Sequence, residues 1–275
     1  MRYAVWAPVL AVSFAFMVAQ TPSGQIEGAP EHAEQERILG LMRAFAEGYV
    51  SNLPNFLCDQ ETRQYEAGKK SKKWHEGDTL TSKLSFHNGE EQRTLQMVNG
   101  KPVEPGTKRW RTPLVTEGEF GILLSRVLGP ESRASFTWSH WETVREKRLA
   151  VFDYNVTKED STLTLRLSDL AKAVVPYYGS VYGDPATGAV WRITDAASEI
   201  PLALQTREIS TTIDYSEISI GEKTYLLPLQ ATVSLLLEDK KVRNEMDFRA
   251  YRKFEAESVI KFGEPGGGEA PKPKR

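Results

Sequence analysis

From Tyr225 to Leu237 apolar and polar side chains alternate almost without interruption. Leu227, Leu229, Ala231, Val233, Leu235 and Leu237 fall on one face, and Pro228, Gln230, Thr232 and Ser234 on the other. Successive side chains of a strand point to opposite faces, so this run commits the chain to a sheet with one dry and one wetter face, the habit of antiparallel sheets. The same period returns elsewhere. Leu80, Ser82, Leu84 and Phe86 alternate with polar residues, as do Phe136 and Trp138, then Phe152, Tyr154 and Val156, then Leu163, Leu165 and Leu167. Tyr178 to Tyr182, Trp191 with Ile193, and Met246 to Ala250 complete the series. Asn88-Gly89 and Asn99-Gly100 carry the residue types that tight hairpin turns require, and Asp184-Pro-Ala-Thr-Gly188 is a third turn. Roughly ten strands with short connections predict one large curved antiparallel sheet, an incomplete β-barrel.

Two segments break the period. Ile38, Leu41, Met42, Phe45 and Tyr49 make one apolar stripe at helical spacing, which predicts a helix over 33–52 ended by Pro54. Thr116 and Glu119 form a capping-box pattern ahead of Phe120, Leu123, Leu124, Val127 and Leu128, and Gly129-Pro130 stops the run. This predicts a second helix over 117–128. The expected fold class is α+β, mainly β, with two helices covering the sheet.

The termini read as something other than fold. Met1-Arg2 is followed by an uncharged run, Tyr3 to Ala19, and then by polar turn-forming residues. That is the layout of a signal peptide, 1–19, with Ala19 as the last residue before cleavage. An uncleaved anchor is the rival reading, although Pro8 interrupts a run at the short end for spanning a bilayer. Residues 20–32 read as a flexible leader, 33–262 as a single β domain, and 263–275 as a disordered tail with a basic end. The expected location is periplasmic or extracellular after signal-peptide cleavage.

Chemistry is harder to find. The chain of 275 residues has a net charge of -2 and one cysteine, Cys58, which reads as a small buried apolar side chain rather than a reactive thiol. There is no strand-to-helix nucleophile elbow and no phosphate loop. His32, His75, His87 and His140 form no metal-ligand spacing, and Asp184 lacks the dense acidic pattern of a calcium loop. His140, between Trp138 and Trp141, is the one histidine in an aromatic setting. The reading assigns no catalytic residue, no metal and no cofactor. Lys69-Lys70-Ser71-Lys72-Lys73-Trp74 is the one basic run beside an aromatic. An exposed loop is the first reading, peripheral contact with an anionic membrane the second, and nucleic acid is disfavoured by the overall charge.

Three features together carry a family resemblance. An amphipathic helix precedes Tyr49-Val-Ser-Asn-Leu-Pro-Asn-Phe56, where strands begin. A long meander contains an inserted helix near 117–128. Finally, Gly179 to Ile193 forms a strand–Asp-x-x-Thr-Gly–strand hairpin. In this layout the chain resembles the bacterial lipoprotein-carrier superfamily, the LolA/LolB-like and RseB-like periplasmic proteins, and also uncharacterised exported bacterial proteins. The resemblance implies an incomplete barrel closed by helices around an apolar cavity, and no catalysis. The expected function is a binding protein for lipid or for the acyl chains of an acylated protein, each buried methylene contributing about 0.8 kcal/mol. Phe45, Tyr49, Phe120, Leu124, Trp138 and Trp141 are the candidate ligand-lining residues. Two other readings stay open: an envelope sensor or protein-interaction module with a filled core, and a hydrolase whose site is assembled from distant residues. The sequence does not fix the oligomeric state.

Overall fold

The computed structural model describes residues 28–104, 119–166, 172–197 and 199–254. The expected signal peptide, most of the leader, the capping residue Thr116 and the C-terminal tail lie outside the described residues.

Helix α1 (His32–Asn52) leads into strands β1 (Phe56–Gly68), β2 (His75–His87), β3 (Glu90–Val98) and the two-residue β4 (Lys101–Pro102). Helix α2 (Ile122–Leu128) is followed by β5 (Ser135–Val144), β6 (Lys147–Val156) and the short pair β7 (Thr164–Arg166) and β8 (Lys172–Val174). Strands β9 (Tyr177–Gly183), β10 (Val190–Ala197), β11 (Thr206–Ile220), β12 (Lys223–Leu237) and β13 (Lys240–Lys253) complete the chain. Eleven strands form one sheet in the order β4-β3-β2-β1-β13-β12-β11-β10-β9-β6-β5, every pairing antiparallel. It is not closed: among the described residues β4 and β5 are its two edges. Among the described residues strands β7 and β8 pair only with each other, so Leu163 and Leu165 are not part of the large meander as the sequence suggested, and Leu167 lies outside the described residues.

The alternation read from the sequence becomes two continuous rows across the strands. On the inner face, cross-strand partners run Phe152, Val181, Ile193, Ile213, Ala231, Met246, Thr62 and Leu80. One residue along, the outer face runs Val151, Tyr182, Arg192, Asp214, Gln230, Asp247, Glu61 and Thr81. From Phe152 to Met246 the inner row joins the main core, and Thr62 and Leu80 are buried beyond it. The outer row holds an Arg192–Asp214 ion pair at 2.7 Å, and Asp247 accepts from Gln230 at 2.9 Å and Arg63 at 2.6 Å. In β12 the ideal alternation is broken once: the register slips between the Asp214–Gln230 and Tyr215–Pro228 pairs, leaving Leu229 without a partner on β11 and only half-buried.

Helix α1 lies on the inner face. Ile38, Leu39, Met42, Ala46 and Tyr49 are buried, so the stripe is rotated slightly from the predicted one, with Leu41 and Phe45 half-buried at its margin. Helix α2 starts five residues later than expected, after Gly121 at φ 119°. Glu119 therefore does not cap a helix; its buried carboxylate meets Arg93 of β3 at 3.3 Å.

The inner face is not wholly apolar. Gln60, Thr62, Gln64, Ser82 and Asn244 are buried on or beside it, and Gln60 sits between Phe248 and Ser82 with both amide atoms unpartnered. A buried polar group without a partner costs about 1–3 kcal/mol. Gln60→Met, similar in length and apolar, is therefore expected to raise the urea midpoint by the equivalent of about 1 kcal/mol. A lower midpoint would mean that the amide is hydrogen-bonded in solution.

Candidate binding cleft

Helix α1, the end of α2 and the start of β5 enclose a cleft of about 370 Å³, within the range of small-molecule sites. Its lining comes from Arg43 and Glu47 of α1, Val127 and Leu128 of α2, the connection Gly129-Pro130 with Ser132, and Phe136 of β5. The space exists because α2 stops there. The Gly129 N–H donates to the Ser125 carbonyl at 2.9 Å, and Pro130 has no N–H with which to continue. The Ser132 hydroxyl donates to the Val127 carbonyl at 2.5 Å and accepts from the Ala134 N–H at 3.2 Å, turning the chain into β5. Val127 and Leu128 form a buried apolar floor. Above it the Arg43 guanidinium lies 5.4 Å from the centre of the Phe136 ring, with no carboxylate partner among the described residues. The cleft thus offers apolar surface below and, at its rim, the Arg43 cation one helical turn from the Glu47 carboxylate, with no ion pair between them among the described residues.

A second groove, of about 430 Å³, lies over β6, β9, β10 and β11. Its polar lining includes Asp153, Ser180, Thr194, Ser210 and Thr212, with the Ser180 hydroxyl donating to Asp153 at 2.6 Å.

The six candidate lining residues divide into two sets. Tyr49, Phe120 and Leu124 are packed in the main core. Tyr49 donates its hydroxyl to the Leu226 carbonyl at 2.9 Å, and burial, reinforced by Tyr215 nearby, pushes its pKa up. The Phe120 ring packs at 5.3 Å from Phe56 and 5.6 Å from Phe248. Phe45, Trp138 and Trp141 are half-buried at the margin of that core, Phe45 with its ring 5.5 Å from Tyr49. Trp138 and Trp141 are three residues apart and would face opposite ways in a regular strand. A register slip at Ser139 puts both on the inner face, opposite Phe152 and Ala150, with ring centres 4.9 Å apart. The Arg148 guanidinium covers Trp141 at 4.0 Å, and the Trp141 indole N–H donates to the Gly28 carbonyl at 3.4 Å. None of the six lines the 370 Å³ cleft. Phe136 does; it is two residues from Trp138 on the same strand, so the alternation that marked Trp138 marked Phe136 as well.

The remaining chemical candidates are quiet. Cys58 is buried and unpaired. Burial, with Glu91 and Asp59 adding negative charge nearby, pushes its thiol up to about 12, which leaves it protonated and inert near neutral pH. His140 is half exposed on the edge strand, within 3.0 Å of Ser139 and 3.3 Å of Glu142, and lines neither cleft. Among the described residues no cluster of His, Cys, Asp and Glu could hold a metal ion, and no helix is long and apolar enough to cross a membrane.

What these elements define is an open antiparallel sheet with two helices on its inner face and an apolar-floored cleft where the helices meet one edge. No family model matches the chain, and no curated protein does. Solved structures it is similar to include a LolA superfamily protein from Nitrosomonas europaea, at 9% identity and a TM-score of 0.35, covering 80% of this chain and 93% of that one. Another is a putative outer membrane lipoprotein-sorting protein domain from Vibrio parahaemolyticus, at 9% identity and 0.37, covering 80% and 92%. A third is a DUF1329 family protein from Desulfovibrio piger, at 8% identity and 0.36, covering 82% and 94%. The likeness is one of layout.

Proposed function

We propose that this chain is an exported, non-enzymatic binding protein that holds the apolar chain of a lipid or acylated protein between its helices and the inner face of its sheet. The observation that supports this is the cleft itself: a buried Val127–Leu128 floor, an aromatic wall at Phe136, and above them the Arg43 guanidinium, which forms no ion pair among the described residues although Glu47 shares the rim. Such a site suits an amphipathic ligand with an anionic head. At about 0.8 kcal/mol per methylene, about ten methylenes supply the roughly 8 kcal/mol of a micromolar complex before ordering costs. In this reading Phe45, Trp138 and Trp141 extend the apolar path at the sheet edge, while Tyr49, Phe120 and Leu124 form the packed base against which the chain rests. A second reading, a protein-interaction module, draws on β5, a sheet edge among the described residues that carries two half-buried tryptophans.

The test is binding of a fluorescent fatty acid and of an uncharged monoacylglycerol. Arg43→Glu is expected to weaken the fatty acid about tenfold and to leave the neutral lipid within about threefold, because only the anion meets the guanidinium. Phe136→Asp places a charge in the apolar wall and is expected to abolish both. Wild-type protein that binds neither probe, or a Phe136→Asp variant that binds both like wild type, would sink the reading.

A further inference from the structure

The loop between β1 and β2 and the turn between β12 and β13 meet at one corner of the sheet. The Lys69 N–H donates to the Asp239 carbonyl at 3.0 Å, and Lys241 Nζ donates to the Ser71 carbonyl at 2.7 Å. Within the loop, the Ser71 hydroxyl accepts from the Lys73 N–H at 3.0 Å. These contacts hold the loop in one shape, with Lys69, Lys70, Lys72 and Lys73 all exposed. No ion pair joins any of the four to a carboxylate among the described residues. Nearby acids are already engaged: Glu66 with Lys240 at 3.0 Å, Glu245 with Arg243 at 3.0 Å and Glu238 with Arg207 at 3.0 Å. Asp239 and Glu76, both exposed, are in no ion pair among the described residues. On a chain with a net charge of -2, this corner is a strong local reversal of sign.

We propose that this corner is a docking surface for an anionic lipid bilayer. The kind of cation argues for a diffuse anionic surface: lysine ammonium groups are mobile, strongly hydrated point charges, without the fixed fork that reads a single phosphate. The aromatic residue argues against nucleic acid, which needs a free ring face for stacking. The half-buried Trp74 ring is held by Arg243 at 4.5 Å and Lys241 at 5.4 Å, and Arg243 also lies 5.0 Å from Tyr65. Trp74 thus fixes two cations of the corner in place instead of offering a platform for bases. The surface is built from charges remote from Arg43 in sequence and stands independently of the proposed ligand cleft.

The experiment is cosedimentation of the mature chain, from Gln20 onward, with phosphatidylcholine vesicles, with and without phosphatidylglycerol. Binding is expected only to the anionic vesicles, and high salt should release it. Each lysine near such a surface contributes about fivefold to partitioning, so replacing Lys69, Lys70, Lys72 and Lys73 together by glutamine should weaken it by about six-hundredfold if all four reach the surface and by about thirtyfold if two do. The thermal midpoint should be unchanged. Arg43→Glu, which tests the cleft, is expected to leave vesicle binding intact, so the two readings fail separately. Equal partitioning onto neutral vesicles, undiminished binding by the quadruple variant, or binding of a homopolymeric RNA without vesicle binding would each overturn the proposal.

Discussion

Asp195→Ala is expected to lower the stability of the domain by about 3 kcal/mol, the scale on which breaking a buried ion pair from one side acts. Asp195 sits on the inner face of β10 and is buried. Its carboxylate meets the Arg126 guanidinium of α2 at 2.6 Å and accepts the Tyr154 hydroxyl at 2.8 Å. The guanidinium also lies 4.8 Å above the Tyr177 ring. With the Tyr177 hydroxyl donating to the Arg126 carbonyl at 3.4 Å, this ties α2 to the sheet, and the Val127–Leu128 floor of the cleft hangs from the same helix. Removing the carboxylate strands Arg126 in a partly buried place. Burial pushes the Asp195 pKa above the ordinary carboxylate range, and the Arg126 charge and the Tyr154 and Arg126 hydrogen bonds offset only part of this. The folded state therefore binds a proton at Asp195 more readily than the unfolded chain does, and this group makes stability fall as pH rises from the ordinary carboxylate value through the raised one. Asp195→Asn removes that slope and keeps most of the shape, so its cost near neutral pH should be smaller, about 1–2 kcal/mol. The double change Arg126→Met with Asp195→Leu should recover most of the alanine loss, since apolar replacements of similar size relieve the desolvation. Urea midpoints measured from acid to neutral pH check all three. Alanine and asparagine variants that match wild type at every pH would mean that the pair holds nothing.

The parts of this fold that were legible in the sequence are those where local chemistry and tertiary role agree. The Asn88-Gly89 and Asn99-Gly100 turns adopt the positive φ their residue types favour, 52° and 82° in one, 51° and 73° in the other. Helix α1 and the alternation of β12 were readable for the same reason. The start of strand β1 at Phe56 was legible, but its extent was not, because its inward positions include Gln60, Thr62 and Gln64, so burial there does not produce an apolar–polar alternation. In β11 too, Thr211 separates Ile209 from Ile213 on alternate positions. The capping pattern at Glu119 misled because the carboxylate has a distant partner, Arg93 of β3, that no local rule could supply. The candidate lining failed to coincide with the cleft for a related reason. Large apolar side chains mark the inner face, but whether a given one fills core or borders open space depends on where the opposing helix ends. Here that is decided by Gly129-Pro130 and the Ser132 hydroxyl. Those residues read as a stop signal, and nothing in a stop signal says what volume it leaves behind.

Gly188→Ala is expected to lower stability by about 3 kcal/mol, since a left-handed backbone costs an L residue about 1–2 kcal/mol and a forced collision in a packed contact about 1–3 more. Gly188 closes the Asp184-Pro-Ala-Thr-Gly188 turn between β9 and β10, at φ 74°. The turn is firmly built: Asp184 Oδ1 accepts from the Ala186 and Thr187 N–H groups at 2.8 and 3.1 Å, and the Gly188 N–H donates to the Asp184 carbonyl at 2.8 Å. It is also the seat of α1. Arg37 donates to the Pro185 carbonyl at 2.9 Å, and a methyl group on Gly188 would run into the main-chain carbonyl of Leu41. A backbone cannot swing aside as a side chain can, so the helix must lift from the hairpin. For a domain of this size the loss corresponds to a fall in Tm of about 6–12 °C. Gly183→Ala provides the contrast. Its added methyl meets first the side chain of Met42 rather than backbone, so Met42→Ala in the same chain should recover part of that loss. Leu41→Ala should recover nothing at Gly188, because the obstructing carbonyl remains. Since α1 also carries Arg43 and Glu47, the Gly188→Ala protein should bind a fatty-acid probe more weakly even at temperatures where it is fully folded. A variant with unchanged Tm and unchanged probe affinity would show that α1 does not rest on this turn.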